Sequence, residues 1–151
     1  RTKLKNIMVE ELTQMIIQGK GVRETSKALS KRLDTDLKNC VRLIHTEHSY
    51  FMGEATYKAY DELGVEKYQF VATLDNRTSE ICQKLDGKVF DMKDRIVGVN
   101  ASPMHPRCRS CEIPYIENNN STRFARDEKG KRIEVPSSMS YNEWKKIYKI
   151  D

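Results

Sequence analysis

The sequence predicts an α+β protein: long N-terminal helices, then a small antiparallel sheet with a short helix and Cys/His loops, then a C-terminal helix. Three observations carry this expectation. Apolar residues recur at helical spacing as far as Gly64, the pattern switches to alternation at Lys67–Thr73, and helical spacing returns behind Ser140. The changes of period divide the chain into a helical part over 1–64, a small α+β block over 65–116 and an extension with a terminal helix over 117–151, expected to form one folded unit.

The first helix rests on Ile7, Met8, Leu12, Met15 and Ile16, and Gly19 and Gly21 stop it. A shorter one follows over 23–32, with Ala28 and Leu29 inward. Asp34 or Asp36 then caps a long helix whose inward face is expected to be Leu37, Cys40, Val41, Ile44, Phe51, Met52, Ala55, Ala59 and Leu63, with Gly64 ending it. Such length exceeds the usual globular helix and suits a spine or a helical hairpin. Lys67–Thr73 alternates and is rich in β-formers. Asp75-Asn76-Arg77 is turn chemistry, Thr78 is placed to cap a short helix through Leu85, and Asp86-Gly87 ends that helix. A strand at 88–90 is expected to pair with one at 112–115 across a loop that Pro103 and Pro106 keep out of helix. Beyond a polar linker at 118–121, Asp127–Lys131 reads as a turn between short strands. Ser140 caps a last helix with Trp144, Ile147 and Tyr148 on one face.

Composition narrows the function classes. The 151 residues carry 27 Lys+Arg against 22 Asp+Glu, a net charge of +5. The excess is spread along the chain, so no segment forms a dedicated nucleic-acid patch and only weak, non-specific DNA contact is expected. No apolar run approaches the roughly 20 residues of a bilayer span, and no signal-like stretch opens the chain. A start at Arg1 rather than Met leads us to expect a processed or truncated piece of something longer.

Four cysteines are informative by position. Cys40 falls in a helical apolar pattern and reads as a buried small hydrophobe. Cys82, Cys108 and Cys111 gather with His105, and the run His105-x2-Cys108-x2-Cys111 has spacing that lets a tight turn put two ligands on one ion. Two readings stay open: a structural zinc held by these four residues, or unliganded residues in a proline-stiffened loop. Asp75 and Asp86 flank the short helix, with Arg77, Arg107 and Arg109 as the obvious cationic partners. Salt-bridge and capping roles suit them better than an acid/base pair, because both sit at turn and cap positions. His45-Thr46-Glu47 with Cys108-x2-Cys111 partly matches the zinc deaminase pattern. Arg107 intervenes after Pro106, however, and the strand–helix alternation of that fold is missing.

The run Thr73–Phe90, written T-x-D-x-R-T…C…D-G-x-x-F, followed by P-x-H-P-x-C-R at Pro103–Arg109, resembles the phage Mu F-like head-morphogenesis family. The resemblance covers about residues 35–116, and Met139–Trp144 looks like the tail that follows the core in such proteins. Its motif positions here are Asp75, Arg77, Thr78, Asp86, Gly87 and Arg109 beside the Cys/His set. Two departures stand out: Ser79 replaces the first Cys of a Cys-x2-Cys pair, and Ser110 stands where a further Cys is common, with Cys111 one place later.

The resemblance implies a non-enzymatic minor head protein of a tailed phage or prophage. Its partners would be portal, capsid or scaffold proteins, and it would aid head assembly and the packaging or ejection of DNA. It would reside in the virion after assembly in the host bacterial cytoplasm. Some members carry toxin domains at the C-terminus; with so few residues after Tyr115, none is expected here. On sequence alone a second reading stays open: a small zinc-dependent nucleic-acid-processing enzyme, or prophage effector, on the same scaffold.

Overall fold

The coordinates are a computed structural model, and the structure describes residues 2–117 and 120–148. Three helices come first, α1 (Thr2–Gln18), α2 (Val22–Leu33) and α3 (Leu37–Glu62). Then follow β1 (Lys67–Val71), the six-residue α4 (Glu80–Leu85), β2 (Val89–Asp91), a 3-10 turn at Met92–Asp94 and β3 (Cys111–Pro114). A hairpin of β4 (Thr122–Arg126) and β5 (Arg132–Pro136) and the terminal α5 (Tyr141–Ile147) complete the mixed α+β fold. Asn118 and Asn119 of the expected linker lie outside the described residues.

Local chemistry sets most boundaries. Asp36 is the N-cap of α3, its Oδ1 accepting from Lys38 N at 2.6 Å, while Asp34 ends α2 in a left-handed conformation. Gly64 follows α3 at φ +70°, where an L side chain would be strained. Ser140 forms a reciprocal capping box with Glu143 at the start of α5. One cap differs from expectation: Ser79, not Thr78, caps α4 by accepting from Cys82 N at 3.4 Å. Thr78 is held elsewhere, because its hydroxyl donates to Thr73 O and to Asp75 Oδ1.

The strands pair differently from the expected 88–90 with 112–115. β1 is central in the order β2-β1-β3, antiparallel to both neighbours, with Tyr68 opposite Phe90 on one side and Pro114 on the other. The turn at Gly87 (φ +79°) explains this: Gly87 N donates to Phe70 O, and Phe70 N to Lys88 O, so the chain returns directly beside the strand it left. Tyr68 and Phe70, two positions apart and so on one face of β1, are fully buried, while Gln69 and Val71 on the other face are half-buried.

The long helix also departs from its expected apolar face. Cys40 and Ile44 do enter the helical core, with Ile7, Leu12, Met15 and Leu29. Phe51, Met52 and Leu63 stay exposed. The C-terminal half meets the sheet through Gly53, Thr56 and Tyr60, roughly half a turn round the helix from Cys40 and Ile44 at 3.6 residues per turn. One helix thus serves two cores with two faces, and neither core covers Phe51, Met52 or Leu63.

Gly53 sits in the interior of α3, where a Cβ would meet Ser102 O at 3.5 Å and Arg95 at 3.6 Å, both ordinary contacts. Gly53→Ala is therefore expected to raise the unfolding free energy by about 0.5–1 kcal/mol, the usual helix-interior difference. Urea denaturation of the two chains measures it, and a destabilised variant would mean that α3 and the Ser102 loop cannot yield.

Candidate metal centre and its carboxylate frame

Two loops meet at Cys82 and Cys108. Cys82 is carried on the first turn of α4, and Cys108 follows a tight turn in which Cys108 N donates to His105 O at 3.0 Å. In that turn Pro106 holds the second position and Arg107 the third, at φ +62°, the conformations of a type II turn. Arg107 is pinned in this disfavoured conformation by α3: its N–H donates to Thr46 Oγ1 at 3.1 Å and its guanidinium to Lys38 O at 3.2 Å. The x2 spacing between His105 and Cys108 works because the chain turns there.

Cys82 Sγ and Cys108 Sγ lie 3.8 Å apart, and Cys82 Sγ lies 3.5 Å from His105 Nε2. The three ligand atoms all fall within 4.8 Å of one another. A tetrahedral zinc with ordinary Zn–S and Zn–N bonds requires S–S and S–N edges of about 3.8 and 3.6 Å, so the donor set fits such an ion. His105 is oriented for the task. Its Nδ1–H donates to Pro106 O at 2.9 Å, leaving the Nε2 lone pair facing Cys82, with the Ser79 hydroxyl 2.8 Å away. Both sulfurs belong to residues 1% exposed, packed with Phe70 and Ala72. The hydrogen bond between the two thiols raises the pKa of Cys82 and lowers that of Cys108.

Cys111 is not brought into this group. No turn falls between Cys108 and the start of β3, so Cys111 is not folded back toward the group and is exposed beside α3. With Cys108, His45 and His48 it lines a cleft of about 310 Å³ between α3 and β3. His45 and Glu47 likewise stay on α3, outside the ligand group, so the deaminase arrangement is not assembled.

Two buried carboxylates frame the centre. Asp75, 1% exposed, takes a bidentate grip from Arg109, accepts from Arg77 N at 3.0 Å and from Thr78 Oγ1 at 3.2 Å. Burial would raise its carboxyl pKa, but the Arg109 hydrogen bonds and the other donors outweigh it and hold it at about 2. The Arg77 guanidinium is mostly solvated and 3.8 Å from Asp75. Asp86, with its side chain fully buried, accepts from Ala72 N at 2.8 Å, Tyr141 N at 2.8 Å and both Arg123 guanidinium nitrogens, at 2.9 and 3.2 Å. Arg123 was not among the expected partners. It lies on the hairpin that follows the core block, and no local spacing connects it to Asp86. The buried Tyr141 is equally unforeseen; its hydroxyl donates to Asp75 O at 2.9 Å while Ile147 stays exposed.

Helical arm, three-stranded sheet and paired Cys/His loops define a small α+β scaffold, and among the described residues no helix is long and apolar enough to cross a membrane. Residues 6–113 match the model of the family described as phage Mu protein F like protein, and the chain belongs to that family. Membership places it, at a coarse level, with phage head morphogenesis. Among curated proteins it is similar to an NAD(+)–arginine ADP-ribosyltransferase EFV of Enterococcus faecalis, 26% identical over 162 residues, covering 94% of this chain and 32% of that protein. It is also similar to an uncharacterised protein of Haemophilus influenzae, 23% identical over 106 residues, covering 70% of this chain and 24% of that protein. The chain thus spans about a third or less of these relatives' lengths. No solved structure matches it.

Proposed function

We propose that this chain is a structural minor head protein of a tailed phage or prophage. In this reading it attaches to portal or inner capsid, aids head assembly and the packaging or ejection of DNA, and ends in the virion after assembly in the host cytoplasm. The family match over 6–113 carries the reading. The core block at 65–116 would be the scaffold unit, with 1–64 as its helical arm and 117–151 latched on through Asp86. The evenly spread charge of +5 suits weak, salt-sensitive DNA contact rather than sequence readout. Co-expression of the tagged chain with portal and major capsid protein of one phage tests this. The chain is expected in sedimenting procapsids, and its absence from particles whose yield is unchanged without it would overturn the proposal.

We further read Cys82, His105 and Cys108 as ligands of a structural zinc, with Asp75, Arg77, Thr78, Asp86, Gly87 and Arg109 holding the loops that carry them. Near-complete burial of both sulfurs favours a structural over a catalytic ion, since a catalytic one keeps a position open to substrate. The fourth donor is not Cys111 in this arrangement. Elemental mass spectrometry is expected to find about one zinc per chain, lost in Cys82→Ser and Cys108→Ser and retained in Cys111→Ser. Chelation should lower the melting temperature of wild type and of Cys111→Ser but not of the other two variants, and metal-free protein from chelator-free preparation would remove the ion from the proposal.

A further inference from the structure

We infer that Cys82 and Cys108 form a reversible disulfide when the centre is metal-free and the surroundings are oxidising. The two thiols are free, 26 positions apart in sequence and 3.8 Å apart in space, so a bond of about 2.05 Å requires a small closing movement of two side chains. Neither side chain has to leave a packed position to reach the other, because both already belong to one buried cluster. Access comes by the cleft at Cys108, since both residues are themselves only 1% exposed. Cys108 lines the cleft under α3 with the exposed Cys111, and Cys82 lines a small cavity with Ser79, Arg77 and His105.

With glutathione disulfide as oxidant the chemistry balances. Cys108 thiolate attacks one sulfur of the oxidant, whose S–S bond breaks and releases one glutathione thiolate. Cys82 thiolate then attacks Cys108 Sγ in the mixed disulfide and releases the second. The chain loses two electrons and two protons, and one glutathione disulfide becomes two glutathiones. A disulfide sulfur carries no thiolate charge, so the bridged state cannot hold a metal through these residues, and a bound metal in turn withholds both nucleophiles. The same loop junction would then be stapled in either compartment: by an ion in the reducing cytoplasm and by a covalent bond outside it. Only the metal's protective part rests on the zinc reading above; the disulfide itself rests on the thiol pair.

The test uses the full chain in two states, chelator-treated and zinc-loaded, each incubated with glutathione disulfide, alkylated and read by intact mass and peptide mapping. The metal-free chain is expected to take up two fewer alkyl groups than the reduced chain, with Cys82 and Cys108 in one linked peptide pair and a raised melting temperature. Cys82→Ser should stop at a glutathione adduct on Cys108, and Cys82→Ala, checked by circular dichroism, guards against misfolding. Zinc-loaded chain should oxidise about tenfold or more slowly. A metal-free chain that carries glutathione on Cys111 alone, with no linked peptides, overturns the inference. Equal oxidation of the two states overturns the protection by metal, and with it the zinc reading, while the disulfide stands.

Discussion

Asp86→Ala is expected to lower the unfolding free energy by about 3–5 kcal/mol, the cost of leaving a buried charge without its partner. Asp86 accepts four hydrogen bonds, from Ala72 N, Tyr141 N and the two Arg123 nitrogens. Truncation leaves the mostly buried Arg123 with only the carbonyls of Ala72 and Met139 to neutralise it, and orphans two backbone N–H groups. At 2–4 °C per kcal/mol for a chain of this size, the melting temperature should fall by roughly 10 °C. The loss has a location. Asp86 ends α4, while Arg123 and Tyr141 belong to β4 and α5, so the carboxylate latches the extension onto the core block. The one tryptophan of the chain, Trp144, is fully buried in that extension and reports its release. Its emission should move to the red at lower urea in the variant, ahead of the helical signal of α1 to α3. Arg123→Met should cost a similar amount, and the double variant Asp86→Asn/Arg123→Met less than the sum of its parts. Strict additivity would mean that the pair does not act as a unit.

What the sequence makes legible is whatever a few neighbouring residues decide. Asp36 and Ser140 announce their helices because the cap bonds reach only two or three residues on. The Asp127–Gly130 turn closes on itself, and His105-x2-Cys108 could be read as a ligand pair because Pro106 makes the turn. Cys82 was grouped with them only as a further thiol 23 positions before the histidine, with no local spacing to fix it there. Apart from the α4 cap and Cys111, the errors are non-local. Strand partners depend on which edge of β1 the chain reaches after a loop, and the face of α3 that is buried depends on which neighbour lies beside each half. Cys111 was included because x2 spacing was assumed to mean a turn, whereas residues 108–110 run straight into β3. Arg123 is separated from Asp86 by 37 positions, and only the finished fold makes them partners.

Asp75→Asn is expected to cost about 2–3 kcal/mol at neutral pH, less than Asp86→Ala because the Arg109 side chain is 31% exposed and water compensates part of the lost pair. The deficit should depend on pH in a defined sense. The Asp75 carboxyl titrates at about 2 in the folded chain against an ordinary value of 3.8. A depressed folded pKa contributes stability that is complete above the unfolded value and disappears as pH falls through the folded one. Wild type should therefore lose its advantage over Asp75→Asn between about pH 4 and pH 2, with the difference constant above that window. Other carboxylates titrate in both chains and cancel in the comparison. Urea midpoints of the two proteins at pH 7, 4 and about 2.5 measure it; a gap that stays unchanged across the series would show that Arg109 does not hold the carboxylate charged. The same variant probes the centre, because Arg109 directly follows Cys108 and Asp75 lies just before the turn into α4. Loosening that clamp lets the two loops separate, so zinc retention against a competing chelator should weaken in Asp75→Asn at neutral pH. A variant that loses stability while keeping wild-type zinc affinity would confine Asp75 to the fold and remove it from the support of the ligands.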